Sequence, residues 1–329
     1  MKKILYLLFL CFLLTGCGKV SSSTIVNNLN KKIEKGNGYH IVGELSIKNN
    51  DEVYDYNVDV FHMMDNYYKV ILTNLANNHT QIILKNDDGV YVVTPSLNKS
   101  FRFQSDWPYN NSQIYLLDAI IKDINNDSKL EFLIKDKKYI IKTKVNYPNN
   151  SKLVEQKIVF SDNFKPKKIA VYDNDGVECM NMSFKKVDFS PKLKKDDFKL
   201  DNIIDKKTND IVEETSNLED VIYPLFLPAG TKLINEEKVA KDKGERVIMN
   251  YDGEKSFVLV EETADVFDEF TIIPSYGEPY FLMDTLGVMT DNSLSWVSGG
   301  VEFYLVSDVM SSDEMLEVAQ SITGIVSMK

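Results

Sequence analysis

Short segments in which apolar and polar residues alternate follow one another along most of this chain, and they restrict its fold more than any other feature. The central example is Gly89–Pro108, with the sequence GVYVVTPSLNKSFRFQSDWP. Val90–Thr94 is rich in β-branched and aromatic residues, and Pro95 ends it because proline cannot donate to a strand ladder. In the return segment, Phe101 and Phe103 fall on the same face of a strand. The stretch therefore predicts a hairpin with an aromatic face.

An amphipathic helix is predicted directly after this hairpin. Ile114, Leu117, Ile121 and Ile124 recur at the spacing of one helix face. An earlier helix is predicted over Thr24–Glu34, and about eleven antiparallel strands account for the rest of the first half, more than a flat sheet carries easily. We therefore expect an α+β fold, in which a curled antiparallel half-barrel sheet has its concave side covered by helices.

Composition along the chain predicts three regions after residues 1–16. Residues 17–190 form the half-barrel domain, and 191–217 are polar, mixed in charge and free of strand alternation, as in a tether. Residues 218–329 carry a new apolar pattern with hairpins and a last helix over Ser311–Thr323. This pattern predicts a small α+β C-terminal domain.

The first residues have the features of a bacterial export signal. A basic start is followed by an apolar run over Ile4–Leu14, about half the length that spans a bilayer. The tetrad Leu14-Thr15-Gly16-Cys17 resembles the lipobox of bacterial lipoproteins. That resemblance implies that 1–16 are a signal peptide and that Cys17 carries diacylglycerol and palmitate. The protein would then be anchored at the outer face of the cytoplasmic membrane.

The net charge limits the partners that the sequence allows. The formal net charge is −11, and it becomes −13 when Lys2 and Lys3 leave with the signal. Such a surface disfavours nucleic acid and anionic lipid headgroups as partners.

The cysteine content excludes an intramolecular disulfide. Once Cys11 is removed and Cys17 is acylated, Cys179 alone remains, and its strand context predicts a small apolar core residue.

Catalytic and metal-binding patterns are missing from the sequence. The histidines are His40, His62 and His79, and no HExxH, CxxC, GxSxG or GxGxxG motif occurs. The run from Glu261 to Glu269 is interpreted as a solvated acidic loop, and Asp173–Gly176 as a hairpin turn rather than a calcium loop. We therefore predict a protein that is not an enzyme and uses no metal or cofactor. An unrecognised cell-wall hydrolase is the remaining catalytic hypothesis.

The order of elements resembles the LolA/RseB-like bacterial lipoproteins, in which helices lie in the mouth of an incomplete β-barrel. Val90–Pro95, Leu97 and Ser100–Gln104 carry the resemblance. Within that group the chain is most similar to the sporulation and germination lipoproteins of the GerS and YdcC type. This resemblance implies a binding module of sporulation or germination that supports a cortex-modifying amidase. The alternatives are an RseB-like sensor of a membrane-bound anti-sigma factor and a lipid- or lipoprotein-binding carrier.

The face between the hairpin and the following helix is the candidate binding surface. Its residues are Phe101, Phe103, Trp107, Tyr115 and Leu116. A concave sheet of the LolA-like kind suggests that they receive a lipophilic ligand, such as an acyl chain, or an apolar segment of a protein partner. The competing interpretation is that they are the ordinary core beneath the helix.

Overall fold

The computed structural model describes residues 20–49, 52–108, 112–148, 150–207, 221–241, 244–282 and 285–327. The predicted signal peptide and Cys17 lie outside these residues. The described chain is α+β, mostly strands with few helices, and its sheets are open and curled, as predicted. Among the described helices, none is both long and apolar enough to cross a membrane.

The first half of the chain contributes eleven strands to one large sheet. They are β1 Gly38–Asn49, β2 Glu52–Met63, β3 Tyr67–Asn74, β4 Thr80–Asn86, β5 Gly89–Thr94, β6 Lys99–Phe103, β7 Glu131–Lys135, β8 Lys138–Lys144, β9 Leu153–Phe160, β10 Pro166–Asp173 and β11 Glu178–Asp188. The spatial order is β6-β5-β4-β3-β2-β1-β11-β10-β9-β8-β7, so β1 and β11 are the central pair that joins two meanders. All of these pairings are antiparallel.

Two helices cover one face of this sheet, here called the main-core face. Helix α1, Ser22–Gly36, starts at a capping box between Ser21 and Thr24 and ends at Asn37, whose left-handed φ of 56° closes the last turn. Helix α2 is Leu117–Asn126. Buried apolar residues of both helices join those of the sheet in one core.

Helix α2 starts later than the sequence pattern indicated. Ile114 and Tyr115 form a turn, and Leu116, with an extended backbone, is the residue before the first helical turn. These residues are nevertheless buried. Their spacing in the sequence reflects burial against the same core, which a tight turn can achieve as well as a helix.

The opposite face of the sheet is partly covered by the segment that follows β11. A short 3₁₀ turn at Lys195–Phe198 leads into helix α3, Leu200–Lys207. Phe198 is fully buried, and Ile203 is buried with it among side chains of β3, β4 and β5. The Lys69 ammonium donates to the Asp197 carbonyl at 3.0 Å. The first part of the predicted polar tether is therefore held on the sheet, and 208–220 lie outside the described residues.

The second half of the chain adds eight described strands and a helix. They are β12 Lys232–Ala240, β13 Glu245–Asp252, β14 Phe257–Thr263, β15 Thr271–Ser275, β16 Glu278–Phe281, β17 Leu286–Met289, β18 Ser293–Ser298, β19 Val301–Val306 and α4 Ser312–Ser327. All the strands except β15 form a second antiparallel sheet, ordered β12-β13-β14-β19-β18-β17-β16. Helix α4 closes the core of this sheet with Met315, Leu316 and Ile322.

The two halves share structure. Strand β15 leaves the second half and pairs in parallel with β6, so it becomes the edge strand of the first sheet. Leu286 and Val288 of β17 also belong to the main core of the first sheet. The two sheets therefore share a strand and core residues, and the domain boundaries at 190 and 218 stay a prediction.

Candidate functional site

A cavity of about 440 Å³ lies where the two halves meet. On one side it is bounded by Leu45 and Ile47 of β1 and by the turn that precedes α2. The other side is formed by β16, with Leu286 and Gln320. This volume is within the range of protein pockets that hold small organic ligands. The cavity is therefore the candidate binding site of the protein.

Aromatic side chains from separate parts of the chain form much of the wall: Trp107, Tyr115, Tyr147 and Tyr280. Burial raises the pKa of the phenols of Tyr115 and Tyr280 above the usual range. The pKa of Tyr147 is raised first by burial and then by its neighbours Asp123, Tyr115 and Tyr280. The three phenols are therefore neutral at physiological pH, and their hydroxyl groups add hydrogen-bonding capacity to a wall that holds both apolar and polar side chains.

Polar groups are gathered at the mouth of the cavity. Lys152, Asp173 and Glu178 line it together with Val177, whose side chain is 56 % exposed. Cys179 also lies at this mouth and is only half-buried, so the prediction of a core cysteine is wrong. Burial, and then Asp173, raise the pKa of the Cys179 thiol. This thiol is therefore protonated and weakly nucleophilic at neutral pH.

The structure separates the five predicted site residues into two groups. Trp107 and Tyr115 line the cavity. Phe103 and Leu116 are buried in the main core, and Phe101 is partly buried beneath the Lys99 ammonium, 4.8 Å from its ring centre. The proposed ligand role of all five remains a prediction, and only the first two have side chains at the cavity wall.

Asp123 of α2 connects the helix to the sheet beneath it. Its carboxylate accepts a hydrogen bond from the Gln156 amide at 2.7 Å and one from Ser112. Burial outweighs these bonds and raises the pKa of Asp123 to about 6. Since Tyr147 is influenced by the same carboxylate, the ionisation of Asp123 bears directly on the cavity wall.

A second buried polar group fixes the start of α2. The Tyr39 hydroxyl donates to Asp118 at 2.9 Å and accepts from the Leu117 backbone at 3.2 Å. His62 lies 3.8 Å from Asp118 and stacks on Tyr68. Burial lowers the pKa of His62, so the imidazole is neutral at pH 7 despite the nearby carboxylate. The hydrogen bonds of Tyr39 stabilise the start of α2. Because His62 is neutral, it does not form an ion pair with Asp118 at pH 7.

The two halves are joined by three sets of side-chain contacts that the sequence did not indicate. The Gln81 amide bonds to both backbone groups of Leu286 and to the Thr285 hydroxyl. The Lys99 ammonium forms an ion pair with Glu302 at 2.7 Å. Ser105, just before Trp107, donates to Glu278 of β16. These contacts connect the first sheet to the second and so fix the position of one half relative to the other.

The acidic run was interpreted wrongly at its first two residues. Glu261 and Glu262 belong to β14, and Glu261 is fully buried, accepting from the Ile222 backbone at 3.0 Å. Phe257 and Leu259 lie on the same face of β14 as Glu261. The period-two alternation of these three positions could therefore have predicted that Glu261 is buried. Within the described residues, no group of three or more His, Cys, Asp or Glu side chains is placed to hold a metal ion.

Open, curled sheets with few helices and a cavity lined by aromatic side chains define an α+β protein with a candidate binding pocket. The chain belongs to the family of the sporulation protein YdcC of Bacillus subtilis (strain 168). It is 38% identical to that protein over 315 residues, which cover 95% of this chain and 93% of the relative. The predicted membership of the YdcC type is thereby confirmed. No family model matches the chain.

Solved structures give looser likenesses. The Pseudomonas aeruginosa MucA/MucB complex contains a chain that is 14% identical, covering 90% of this chain and 96% of the other, with a TM-score of 0.32. The CwlD amidase of Clostridioides difficile in complex with the GerS lipoprotein gives 15% identity over 52% of this chain and 98% of the other, with a TM-score of 0.24. Such superpositions are too loose to transfer a binding surface from one protein to the other.

Proposed function

We propose that this protein is a binding module of sporulating or germinating cells, and that the cavity between its two halves receives a lipophilic ligand or an apolar segment of a partner. The single observation that supports this most directly is the composition of the cavity wall. Trp107, Tyr115, Tyr147 and Tyr280 converge there from both halves and offer apolar area together with a few hydroxyl donors. Pockets of this kind bind by burying apolar surface, while sparse polar groups fix the orientation of the ligand.

Lipid attachment at Cys17 is part of the proposal. The ordered basic start, apolar run and lipobox-like tetrad support it. A diacylated cysteine would keep the body at the outer face of the cytoplasmic membrane without a spanning helix. Cells grown with labelled palmitate should label the wild-type chain and leave Cys17→Ala unlabelled. Label that persists in Cys17→Ala would remove this part of the proposal.

A cell-wall amidase is the proposed protein partner, because the sequence resembles GerS-type lipoproteins that act with a cortex-modifying amidase. The chain should then co-purify with a cortex amidase from sporulating cells. Tyr280→Ala, which opens the cavity wall, should reduce the recovered amidase. Equal recovery with the wild type and Tyr280→Ala would place the partner on a different surface.

Ligand binding is tested with a fluorescent twelve-carbon fatty acid as the probe. A chain that begins at residue 20 keeps every described helix and strand and lacks the apolar run over Ile4–Leu14. In that chain Val177→Trp obstructs the exposed mouth without disturbing the core. Its matched control is Val239→Trp, because Val239 is 38 % exposed on β12, which lies at the opposite edge of the second sheet from the cavity-lining β16. The Kd should rise about tenfold or more in Val177→Trp, because several apolar contacts are lost, and should stay unchanged in the control.

Two results would contradict the cavity as the binding site. One is probe binding that Val177→Trp leaves intact, and the other is a wild-type chain that does not bind the probe at all.

A further inference from the structure

The part of the first sheet furthest from β15 carries an unusual pattern on the face opposite the main core. There Leu133 of β7 lies opposite Ile140 of β8, which lies opposite Val159 of β9. Leu133 is 52 % exposed, and Ile140 and Val159 are each partly exposed. Three adjacent strands thus present a continuous apolar row on an open surface.

Lysines flank this apolar row on both sides. On one side Lys135 lies directly opposite Lys138, and on the other Lys142 lies directly opposite Lys157. Like charges at directly opposite positions of a sheet are destabilising. Glu131 offsets Lys142 at 3.5 Å, whereas in the described part of the chain none of the other three lysines has an ion-pair partner. The surface, here called the basic face, therefore carries more lysines than acidic side chains, which on the same face of these strands are Glu131 and Glu155, although the chain has a net charge of −11.

We propose that the basic face docks on an anionic phospholipid surface. Lysine side chains can place their ammonium groups at the phosphates while their alkyl parts and the apolar row between them enter the boundary with the acyl chains. Lysines near an anionic membrane each strengthen binding, and four of them converge here. The net charge predicted the opposite preference, because it sums charges over the whole chain and does not show a local excess of lysine on one face of a sheet.

The apolar row distinguishes this partner from a nucleic acid. Nucleic-acid surfaces commonly add arginine and exposed aromatic side chains to their lysines for phosphate and base contacts. The chain has arginine only at Arg102 and Arg246, neither of which lies on β7, β8 or β9. The exposed Leu133 has no counterpart in phosphate recognition, whereas it fits a lipid interface.

The test is sedimentation of the chain beginning at residue 20 with vesicles of phosphatidylcholine, with and without phosphatidylglycerol. The partition coefficient should be about tenfold higher on the anionic vesicles and should fall as salt is added. Lys135→Glu with Lys138→Glu should lower it by about tenfold or more. The matched control, Lys232→Glu with Lys238→Glu on the exposed β12, makes the same change in net charge and should leave partition within about twofold.

A second variant, which leaves the net charge unchanged, tests the proposal even if Lys135→Glu with Lys138→Glu unfolds the β7–β8 hairpin. Leu133→Ser should weaken partition about threefold or more at constant charge, because apolar area no longer enters the interface. Melting temperatures of all variants are compared with the wild type. The proposal is overturned if the wild type binds neutral and anionic vesicles equally or binds neither. It is also overturned if the β12 control loses as much binding as the basic-face variant, or if a DNA duplex is bound in preference to anionic vesicles.

Discussion

The side-chain amide of Gln81 pairs with the backbone of Leu286 as if it were another peptide group. The Leu286 amide donates to Gln81 Oε1 at 2.6 Å, and Gln81 Nε2 donates to the Leu286 carbonyl at 3.3 Å. Gln81 is 4 % exposed and lies on β4 of the first sheet, whereas Leu286 lies on β17 of the second. One buried side chain therefore joins the two sheets beside the cavity.

Gln81→Met should destabilise the folded chain by about 2–4 kcal/mol, because it leaves both backbone groups of Leu286 buried without their partner. The measurement is urea unfolding followed by fluorescence and circular dichroism. Gln104→Met, at an exposed position, is the matched control and should change the free energy of unfolding by less than about 0.5 kcal/mol. Equal effects of the two substitutions would mean that the Gln81 contact does not stabilise the joint between the sheets.

The ion pair between Lys99 and Glu302 should couple the two halves energetically. Lys99 is almost fully buried, so removing Glu302 strands a charge that water cannot reach. A double-mutant cycle with Lys99→Met and Glu302→Gln should give a coupling free energy of about 1–3 kcal/mol. Single-mutant effects that simply add would show that the pair contributes nothing to the joint.

Asp123 should make stability fall as pH rises. Its folded pKa of about 6 lies above the ordinary 3.8, so the folded state holds its proton more tightly. The resulting stabilisation is complete below about pH 4 and is lost as pH rises through about 6. Asp123→Asn should remove that loss and be more stable than the wild type at pH 7 by about 1–3 kcal/mol.

Unfolding free energies measured between pH 4 and pH 7 check this. Asp136→Asn, in the exposed β7–β8 turn, is the control and should follow the wild-type pH dependence. A wild-type curve that is parallel to that of Asp123→Asn over this range would show that Asp123 ionises in the fold as it does in water.

Several strands of the first half were predictable because one face is more buried than the other, so that burial alternates with period two, as in β2, β3 and β9. The sequence did not predict β12, β15 or β17. All nine residues of β12 are exposed and all four of β17 are buried, so neither shows alternation. Strand β15 contains Pro274 and pairs in parallel with a strand far away in the sequence. Only tertiary structure could reveal these three strands.

The candidate site was partly predictable for a related reason. Trp107 and Tyr115 stand out as aromatic residues beside a hairpin and a helix pattern, and both line the cavity. Tyr147 and Tyr280 come from a connection and from a short strand, and they meet only because the two halves close on each other. Gln81 is one polar residue within an apolar strand, and nothing in its neighbourhood of the sequence indicates a partner two hundred residues away.

The two tryptophans of the chain allow the most direct test of the binding cavity. Trp107 lies in the cavity wall, whereas Trp296 is stacked on Phe303 in the core of the second sheet. Stearic acid brominated near the middle of its chain quenches tryptophan only at close contact, so it reports which indole the acyl chain reaches. In the chain beginning at residue 20, the account predicts saturable quenching in Trp296→Phe, which retains Trp107, and none in Trp107→Phe. Quenching of Trp296 alone, or of neither indole, would contradict the account.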